Sequence, residues 1–208
     1  MNEDLVSAIR ERLSTSTLSD VMLGLGLAPH YLPAGIRPLH RRGRLVGRAM
    51  PVAMEPGPAA DFRKMLDAVE ALEAGDVYIC SAPPGEFALW GELMSRRAGR
   101  KGAAGAVISG YHRDSDACEA VDFPLFSAGG YGLSSLAHAH VAGFDRAIRF
   151  ANGVAVRPGD IVVGDSDGVV VIPFDRLGEV VERGIEKADH DDDVADRIRN
   201  GHDIPLRR

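Results

Sequence analysis

The chain has little of what builds disulfide-stabilised or membrane-spanning proteins. It contains two cysteines and one tryptophan among 208 residues, and aromatic residues make up 6% of it. Cys80 and Cys118 are too few for a disulfide framework, so the sequence predicts a reducing compartment. No apolar run reaches the length that a membrane-spanning helix needs.

An excess of positive charge is also lacking. The 24 lysines and arginines are outnumbered by 30 aspartates and glutamates, which gives a formal net charge of −6. Basic residues are mostly dispersed, which argues against a nucleic-acid groove or an anionic membrane surface. The first four residues are acidic where a signal peptide would be basic. We therefore expect a cytoplasmic protein whose partners are a small molecule and a divalent cation, without nucleic acid or membrane.

The chain does have a high apolar content and a regular alternation of elements. Hydrophobic residues make up 45% of it, and its length favours one domain spanning 1–208. Two helices and a connection across 29–35 precede strand and helix patterns that alternate over 45–108, which is typical of a mostly parallel, helix-covered sheet. Close-set strands at 154–173 predict a C-terminal β-rich part, and an apolar stripe over 177–185 predicts a final helix. The predicted fold class is α/β.

One of the predicted helices is defined by an apolar stripe that ends before Gly75. Its members recur at helical spacing: Phe62, Met65, Leu66, Val69 and Leu72.

Two turns, 91–94 and 110–114, lie on either side of one predicted helix and the apolar strand 105–108. The first turn opens the helix and the second follows the strand. In a strand-loop-helix-strand unit both turns can lie at the same edge of a parallel sheet, where ligands gather in open α/β folds. Their pairing predicts a metal-assisted active site.

Arg113 and Asp114 are the first candidates for chemistry. Taken alone, the pair is more simply a surface ion pair, or a turn whose aspartate caps the next segment. In an active site, Asp114 can ligate Mg²⁺, a hard cation that keeps several waters, so one protein carboxylate suffices when the substrate supplies further oxygens. Arg113 is suited to hold a carboxylate or a developing enolate oxygen.

The turn Gly91-Glu92-Leu93-Met94 is the second candidate. If a helix begins there, its free backbone N–H groups form a site for a substrate carboxylate, and Gly91 permits close approach. Glu92 can then orient a water for proton transfer. Alternatively, Glu92 only stabilises the first helical turn through the helix dipole, which is the simpler interpretation.

The walls of the predicted cleft are assigned to residues around the two turns. Trp90 is expected to pack one wall. His112 either touches the substrate or points away from it. The distal part of the pocket is expected to be shaped by the 129–132 loop, by His112 and by a neighbouring subunit.

Further motifs accompany these turns in a fixed order along the chain. They are Gly91-Glu92-Leu93, 105–110, Arg113-Asp114, 123–126, 156–160 and 165–173. With this ordered set, the chain resembles the family of 4-hydroxy-4-methyl-2-oxoglutarate aldolases and regulators of ribonuclease E activity A. The resemblance covers roughly residues 15–173 of the single RraA-like domain.

The resemblance implies a class II pyruvate aldolase that uses Mg²⁺ or Mn²⁺. Such a lyase cleaves 4-hydroxy-2-oxo diacids, for example 4-hydroxy-4-methyl-2-oxoglutarate, to pyruvate and a second carbonyl compound, and it also decarboxylates oxaloacetate. The shared intermediate is pyruvate enolate. By resemblance, Asp114 is the metal ligand, Arg113 the clamp for substrate and enolate, 91–94 the cradle for pyruvate, and Glu92 the holder of catalytic water.

The resemblance also implies a homotrimer or a hexamer with sites between subunits. Acidic residues of a neighbouring subunit complete each site, and Asp20 and Asp189 match them, although the family favours glutamate there. The alternative function is that of the regulator branch, a non-catalytic trimer that binds a ribonuclease E-type partner. Pure regulators tend to lack the acid after the arginine, so Asp114 favours the enzyme.

Overall fold

The computed structural model describes residues 3–40, 43–60 and 62–201. The helices are α1 (Glu3–Arg12), α2 (Thr15–Gly24), α3 (Arg63–Glu70), α4 (Glu92–Arg100), α5 (Ser115–Glu119) and α6 (Leu177–Arg199). The strands are β1 (Arg37–Pro38), β2 (Leu45–Pro56), β3 (Asp76–Ser81), β4 (Ala88–Trp90), β5 (Gly105–Ile108), β6 (Tyr111–His112), β7 (Leu125–Ser127), β8 (Ala139–Phe144), β9 (Ile148–Arg149), β10 (Ala155–Val156), β11 (Ile161–Asp165) and β12 (Gly168–Ile172).

One large sheet has the strand order β1-β7-β5-β3-β2-β11-β12, and β8 pairs with the second half of β2. Strands β2, β3, β5 and β7 pair in parallel, as the strand and helix pattern predicts. Strands β1, β8, β11 and β12 join antiparallel. The α/β class is confirmed, and the sheet is mixed because β1 and β8 join its parallel strands antiparallel in addition to the C-terminal β11 and β12.

The central strands are apolar because both of their faces are buried. Successive side chains of a strand point to opposite faces. In β3, Tyr78 and Cys80 join a buried cluster with Trp90, while Val77 and Ile79 join another cluster with residues of β7 and β12. The first cluster is covered by α3 and α4. A third cluster packs α1, α2 and the start of α6 against β11 and β12.

The apolar stripe that defines α3 is only partly buried. Met65, Val69 and Leu72 lie in the core. Phe62 and Leu66 are each 37% exposed, so these two residues of the stripe lie partly outside the core. Both side chains line a cavity at the surface instead.

The 29–35 stretch is more than a connection. The Tyr31 backbone forms an isolated β-bridge with Val170, and the Leu32 N–H donates to the Val169 carbonyl at 2.9 Å. A few residues later, β1 pairs with β7 at the other edge of the large sheet. The segment therefore links β12 to β7 and nearly closes the sheet on itself.

The final helix α6 starts buried and ends exposed. Leu177, Val180 and Val181 pack into the third cluster, and the predicted solvated stretch 190–193 is exposed. Across the described ranges, none of the helices combines the length and the apolar character needed to cross a bilayer.

Strands β4 and β6 form a small parallel sheet of their own, with Ala88 opposite Tyr111 and Trp90 opposite His112. We expected the two turns to meet at the edge of the large sheet. That expectation is wrong for the first turn, because β4 pairs with β6 instead of entering the large sheet. The two turns nevertheless meet, because Gly91 follows the end of β4 while Arg113 and Asp114 follow the end of β6, which lies inside the second turn.

Candidate active site

The two predicted turns are joined directly by a backbone hydrogen bond. The N–H of Arg113, just after β6, donates to the carbonyl of Trp90, the last residue of β4, at 2.9 Å. This bond continues the parallel register by one step and brings Gly91 beside Arg113 and Asp114. Residues separated by more than twenty positions in the chain therefore line one site.

Gly91 is required for space and not for backbone conformation. Its φ of −162° and ψ of −174° describe extended backbone that any residue adopts. A Cβ at this position, however, would lie 2.6 Å from Asp114 Oδ2 and 3.4 Å from Arg113 Cγ. The missing side chain therefore lets the Asp114 carboxylate approach the start of α4.

Asp114 has a left-handed backbone, with φ of 58° and ψ of 42°. Aspartate tolerates this region better than most residues, yet a non-glycine residue there stores strain of about 1 kcal/mol, which is common at functional sites. Asp114 precedes α5, but its side chain makes no capping hydrogen bond to that helix. The capping interpretation is therefore not supported, and the carboxylate remains 44% exposed.

The ion pair between Arg113 and Asp114 is loose. Arg113 Nε lies 3.6 Å from Asp114 Oδ2, and an exposed pair of this kind contributes little to stability. Within the described residues, the Arg113 guanidinium makes no hydrogen bond. Its N–H groups are therefore available to a ligand that carries a carboxylate or an enolate oxygen.

Buried polar side chains support the turn at 110–114 by hydrogen bonds on the side that faces the core. Trp90 Nε1 donates to Ser95 Oγ at 2.8 Å, and the Cys118 thiol donates to the Arg113 carbonyl at 3.4 Å. The Trp90 ring stacks on Phe123, so Trp90 packs the cleft wall as predicted. Burial raises the pKa of the Cys118 thiol, which keeps it protonated as a donor.

Sequence reasoning missed Ser95 and Cys118. Each lies four residues after a residue of the predicted turns, Gly91 and Asp114 respectively, which is the spacing that places a helical side chain back over the turn. This spacing of four residues could have predicted that Ser95 and Cys118 lie next to the two turns.

His112 points away from the candidate site. It is 3% exposed, and its Nδ1 and Nε2 are hydrogen-bonded to Ser127 Oγ at 2.7 Å and Ser115 Oγ at 3.0 Å. Burial lowers its pKa, with a smaller opposing effect from the Asp114 and Glu119 carboxylates. Of the two alternatives for His112, the structure supports a structural role.

A cavity of about 230 Å³ opens beside the two turns. Its wall contains the charged Arg113 and Asp114, the polar Ser134 and the backbone of Gly91. The rest of the wall is apolar and comes from α3 and the residue before it, from β4 and from α4: Phe62, Met65, Leu66, Ala88, Leu89, Trp90, Leu93 and Met94. Leu93 and Met94 line it, and the predicted binding of pyruvate by the 91–94 backbone remains a prediction. The prediction that the 129–132 loop and His112 shape the pocket is wrong within the described chain, because α3 takes that place.

Glu92 does not line this cavity. Its Oε1 accepts a hydrogen bond from Arg96 Nε at 2.6 Å, one helical turn further along α4. That contact fits the simpler interpretation, in which an acid stabilises the first turn of a helix. The predicted role of Glu92 in holding water remains a prediction.

Asp20 and Asp189 lie outside the cavity of their own chain. Asp20 on α2 pairs with Lys187 Nζ at 3.3 Å, and Asp189 on α6 accepts a hydrogen bond from Arg12 at 2.7 Å. Both carboxylates are exposed. Their predicted part in the site of a neighbouring subunit remains a prediction.

Comparisons with known proteins show the family of this chain. The family profile described as RraA-like, Aldolase/RraA, matches residues 15–171. A relative from Halalkalibacterium halodurans named "Putative 4-hydroxy-4-methyl-2-oxoglutarate aldolase" is 30% identical over 206 residues, which cover 98% of this chain and 92% of the relative.

Two solved structures are similar over nearly their whole length. An uncharacterized protein from Pseudomonas syringae pv. tomato has a TM-score of 0.87 and 26% identity, over 98% of this chain and 96% of that one. RraAS2 of Streptomyces coelicolor, described as an unusual member of the RNase ES inhibitor RraA protein family, has a TM-score of 0.84 and 25% identity, over 94% and 97% of the two chains.

We predict that His112 makes stability depend on pH. Because its folded-state pKa lies below the unfolded value of about 6.5, the unfolded chain takes up a proton first as the pH falls. Stability is therefore lost as the pH drops below about 6.5 and through the folded-state pKa. His112→Gln should reduce the difference between urea midpoints measured at about pH 7.5 and about pH 5.5.

The exposed His190 on α6 provides the control, since His190→Gln should leave that difference as in the parent. His30 is also buried with a lowered pKa, so part of the dependence should persist in the variant. An unchanged difference in His112→Gln would contradict the buried, neutral state of His112.

Proposed function

Because the chain belongs to the RraA-like family of aldolase and RraA proteins, we propose that it is a divalent-metal-dependent lyase. In this proposal it is a class II pyruvate aldolase that cleaves a 4-hydroxy-2-oxo acid, and it also decarboxylates oxaloacetate. The observation that carries the proposal is the Asp114 carboxylate, which lies in the space that Gly91 leaves open beside Arg113.

Mg²⁺ or Mn²⁺ is the proposed cofactor, and Asp114 would hold it. Within the described residues, no group of three or more His, Cys, Asp or Glu side chains could hold a metal ion. A single half-exposed carboxylate suits a hard cation that keeps several waters and takes further oxygens from its substrate. When bound, the cation supplies Lewis-acid stabilisation of negative charge on the 2-oxo acid.

Arg113 would stabilise the same developing charge. Its guanidinium is permanently charged, planar and free of protein hydrogen bonds within the described chain, so it can bind a carboxylate or enolate oxygen at two points. In aldol cleavage the C3–C4 bond breaks and its electron pair stays on C3 of the pyruvate fragment. The C4 hydroxyl gives its proton to water and becomes a carbonyl, and C3 then takes a proton from water.

Glu92 is proposed to orient that water, for which its side chain would have to leave Arg96. Decarboxylation of oxaloacetate needs no hydroxyl base, because carbon dioxide leaves in place of the carbonyl fragment. The same two residues, Arg113 and Asp114, therefore serve both reactions.

The proposed active unit is a homotrimer or hexamer in which a neighbouring chain completes the site. Asp20 and Asp189 lie outside the cavity of their own chain, and the half-exposed Arg113 and Asp114 can be reached from outside. Both facts support a shared site with the two aspartates supplied by the neighbour.

The alternative is a non-catalytic oligomer that binds a ribonuclease E-type partner, which the likeness to RraAS2 favours. The geometry of Asp114 favours the enzyme, because its carboxylate neither caps α5 nor forms a close ion pair. Pyruvate formation that requires a divalent cation and stops with EDTA would separate the two functions.

We predict that Asp114→Asn lowers kcat/KM for pyruvate formation by about 100-fold or more, because an amide replaces the proposed carboxylate ligand. Pyruvate is measured at saturating Mg²⁺ by a coupled assay. Asp116→Asn is the matched control, since Asp116 is exposed two residues along α5 and outside the cavity. Near-parental turnover of a folded Asp114→Asn variant would overturn the assignment of the site.

Arg113→Lys should lower kcat by about 100-fold, because an ammonium group cannot reproduce the planar two-point contact at the developing charge. Steady-state kinetics with oxaloacetate measures the effect without any need for a hydroxyl base. Arg100→Lys, an exposed substitution at the end of α4, should behave as the parent. A parental rate in Arg113→Lys would return Arg113 to the role of a surface ion-pair partner.

A further inference from the structure

Most of the cavity wall is apolar. Beyond Gly91, Arg113, Asp114 and Ser134, the lining residues in the described chain are aliphatic, aromatic or thioether side chains. Asp114 and Arg113 are thus the charged groups of this wall, and the proposed chemistry at the 2-oxo acid end already uses both. The remaining wall is left to contact the part of the substrate beyond C3.

The apolar wall extends to the mouth of the cavity. Leu93 on α4 is 76% exposed, and Phe62 and Leu66 are each 37% exposed. Exposed apolar residues that cluster at a cavity mark a ligand or partner surface, whereas isolated ones are ordinary. Phe62 and Leu66 belong to the α3 stripe that the core does not fully bury.

Three cations near this wall are paired with acids, and Arg63 and Lys64 of α3 are not among the residues that line the cavity. On α4, Arg96 pairs with Glu92 at 2.6 Å, and Arg97 pairs with Glu70 of α3. Lys101 also lies 3.8 Å from Glu70. None of these three cations lines the cavity. A second substrate carboxylate at the apolar wall would lose water without gaining a cation from the residues of this chain that form the wall, which is costly.

We infer that the C4 substituents of the substrate are uncharged. This inference rests on the proposed function and narrows it to 4-hydroxy-2-oxo monocarboxylic acids that carry alkyl or aryl groups at C4. Cleavage of the C3–C4 bond then gives pyruvate and a neutral aldehyde or ketone, with the proton transfers described above. Oxaloacetate remains compatible with the apolar wall, because its second carboxylate leaves as neutral carbon dioxide.

A matched pair of substrates tests the inference. 4-Hydroxy-4-methyl-2-oxopentanoate and 4-hydroxy-4-methyl-2-oxoglutarate differ in one C4 substituent, a methyl group in the first and a carboxylate in the second. With Mg²⁺ present, we expect kcat/KM for pyruvate release to be higher for the first by about 10-fold or more, the cost of an unpaired polar group.

A variant with a cation in the wall should shift this preference. Leu66→Lys keeps a partly exposed side chain and adds an ammonium group, so the ratio of the two kcat/KM values should move by about 10-fold toward the dicarboxylate. Leu23→Lys, at a leucine that is 59% exposed on α2 and outside the cavity, should leave the ratio unchanged. Circular dichroism and light scattering verify that both variants keep the parental fold and assembly.

The outcomes separate this inference from the function on which it rests. If the unsubstituted protein has the higher kcat/KM for the dicarboxylate, the inference is overturned, but the proposed aldolase function stands. If a folded Leu66→Lys variant has the same ratio of the two kcat/KM values as the parent, the inference is also overturned, because the apolar wall would then not contact the C4 substituents. Absence of pyruvate from both substrates and from oxaloacetate would overturn the proposed function itself.

Discussion

The parallel pairing of β4 with β6 is the constraint on which the candidate site depends. It is a short contact outside the large sheet, yet it brings Gly91 and Asp114 together. Buried groups hold both strands in place, with the Trp90 ring stacked on Phe123 and the His112 imidazole between two serine hydroxyls. The positions of the two turns are thus set by the protein core.

Sequence patterns predicted the helices and strands whose buried apolar residues recur at a regular spacing along the chain. The central strands are apolar on both faces, and α3, α4 and α6 carry apolar residues at helical spacing, so their existence and order could be read directly. The pairing of β4 with β6 could not, because strands of two or three residues are too short to show a period. The closing contact of Tyr31 and Leu32 with β12 is made by backbone groups, which leave no side-chain pattern.

The candidate site was predictable where its signals are local. A glycine at a helix start and a carboxylate after a strand are visible in the sequence, and the structure brings Gly91 and Asp114 into contact. The wall was not predictable, because the stripe of α3 shows that the helix has an apolar face but not that Phe62 and Leu66 face a cavity. The role of Glu92 could not be read from the sequence, because an acid at the first position of a helix can either stabilise the helix dipole or orient a catalytic water.

The most direct test is whether the space at Gly91 controls cation binding. Mn²⁺ titration followed by electron paramagnetic resonance measures the affinity of the parent, of Gly91→Ala and of Gly132→Ala, where a Cβ would meet nothing within 4 Å. Since an added Cβ would lie 2.6 Å from Asp114 Oδ2, we expect Gly91→Ala to weaken Mn²⁺ binding by about 10-fold or more with its fold intact, and Gly132→Ala to bind as the parent. Equal affinity in all three proteins would contradict the placement of the cation at Asp114.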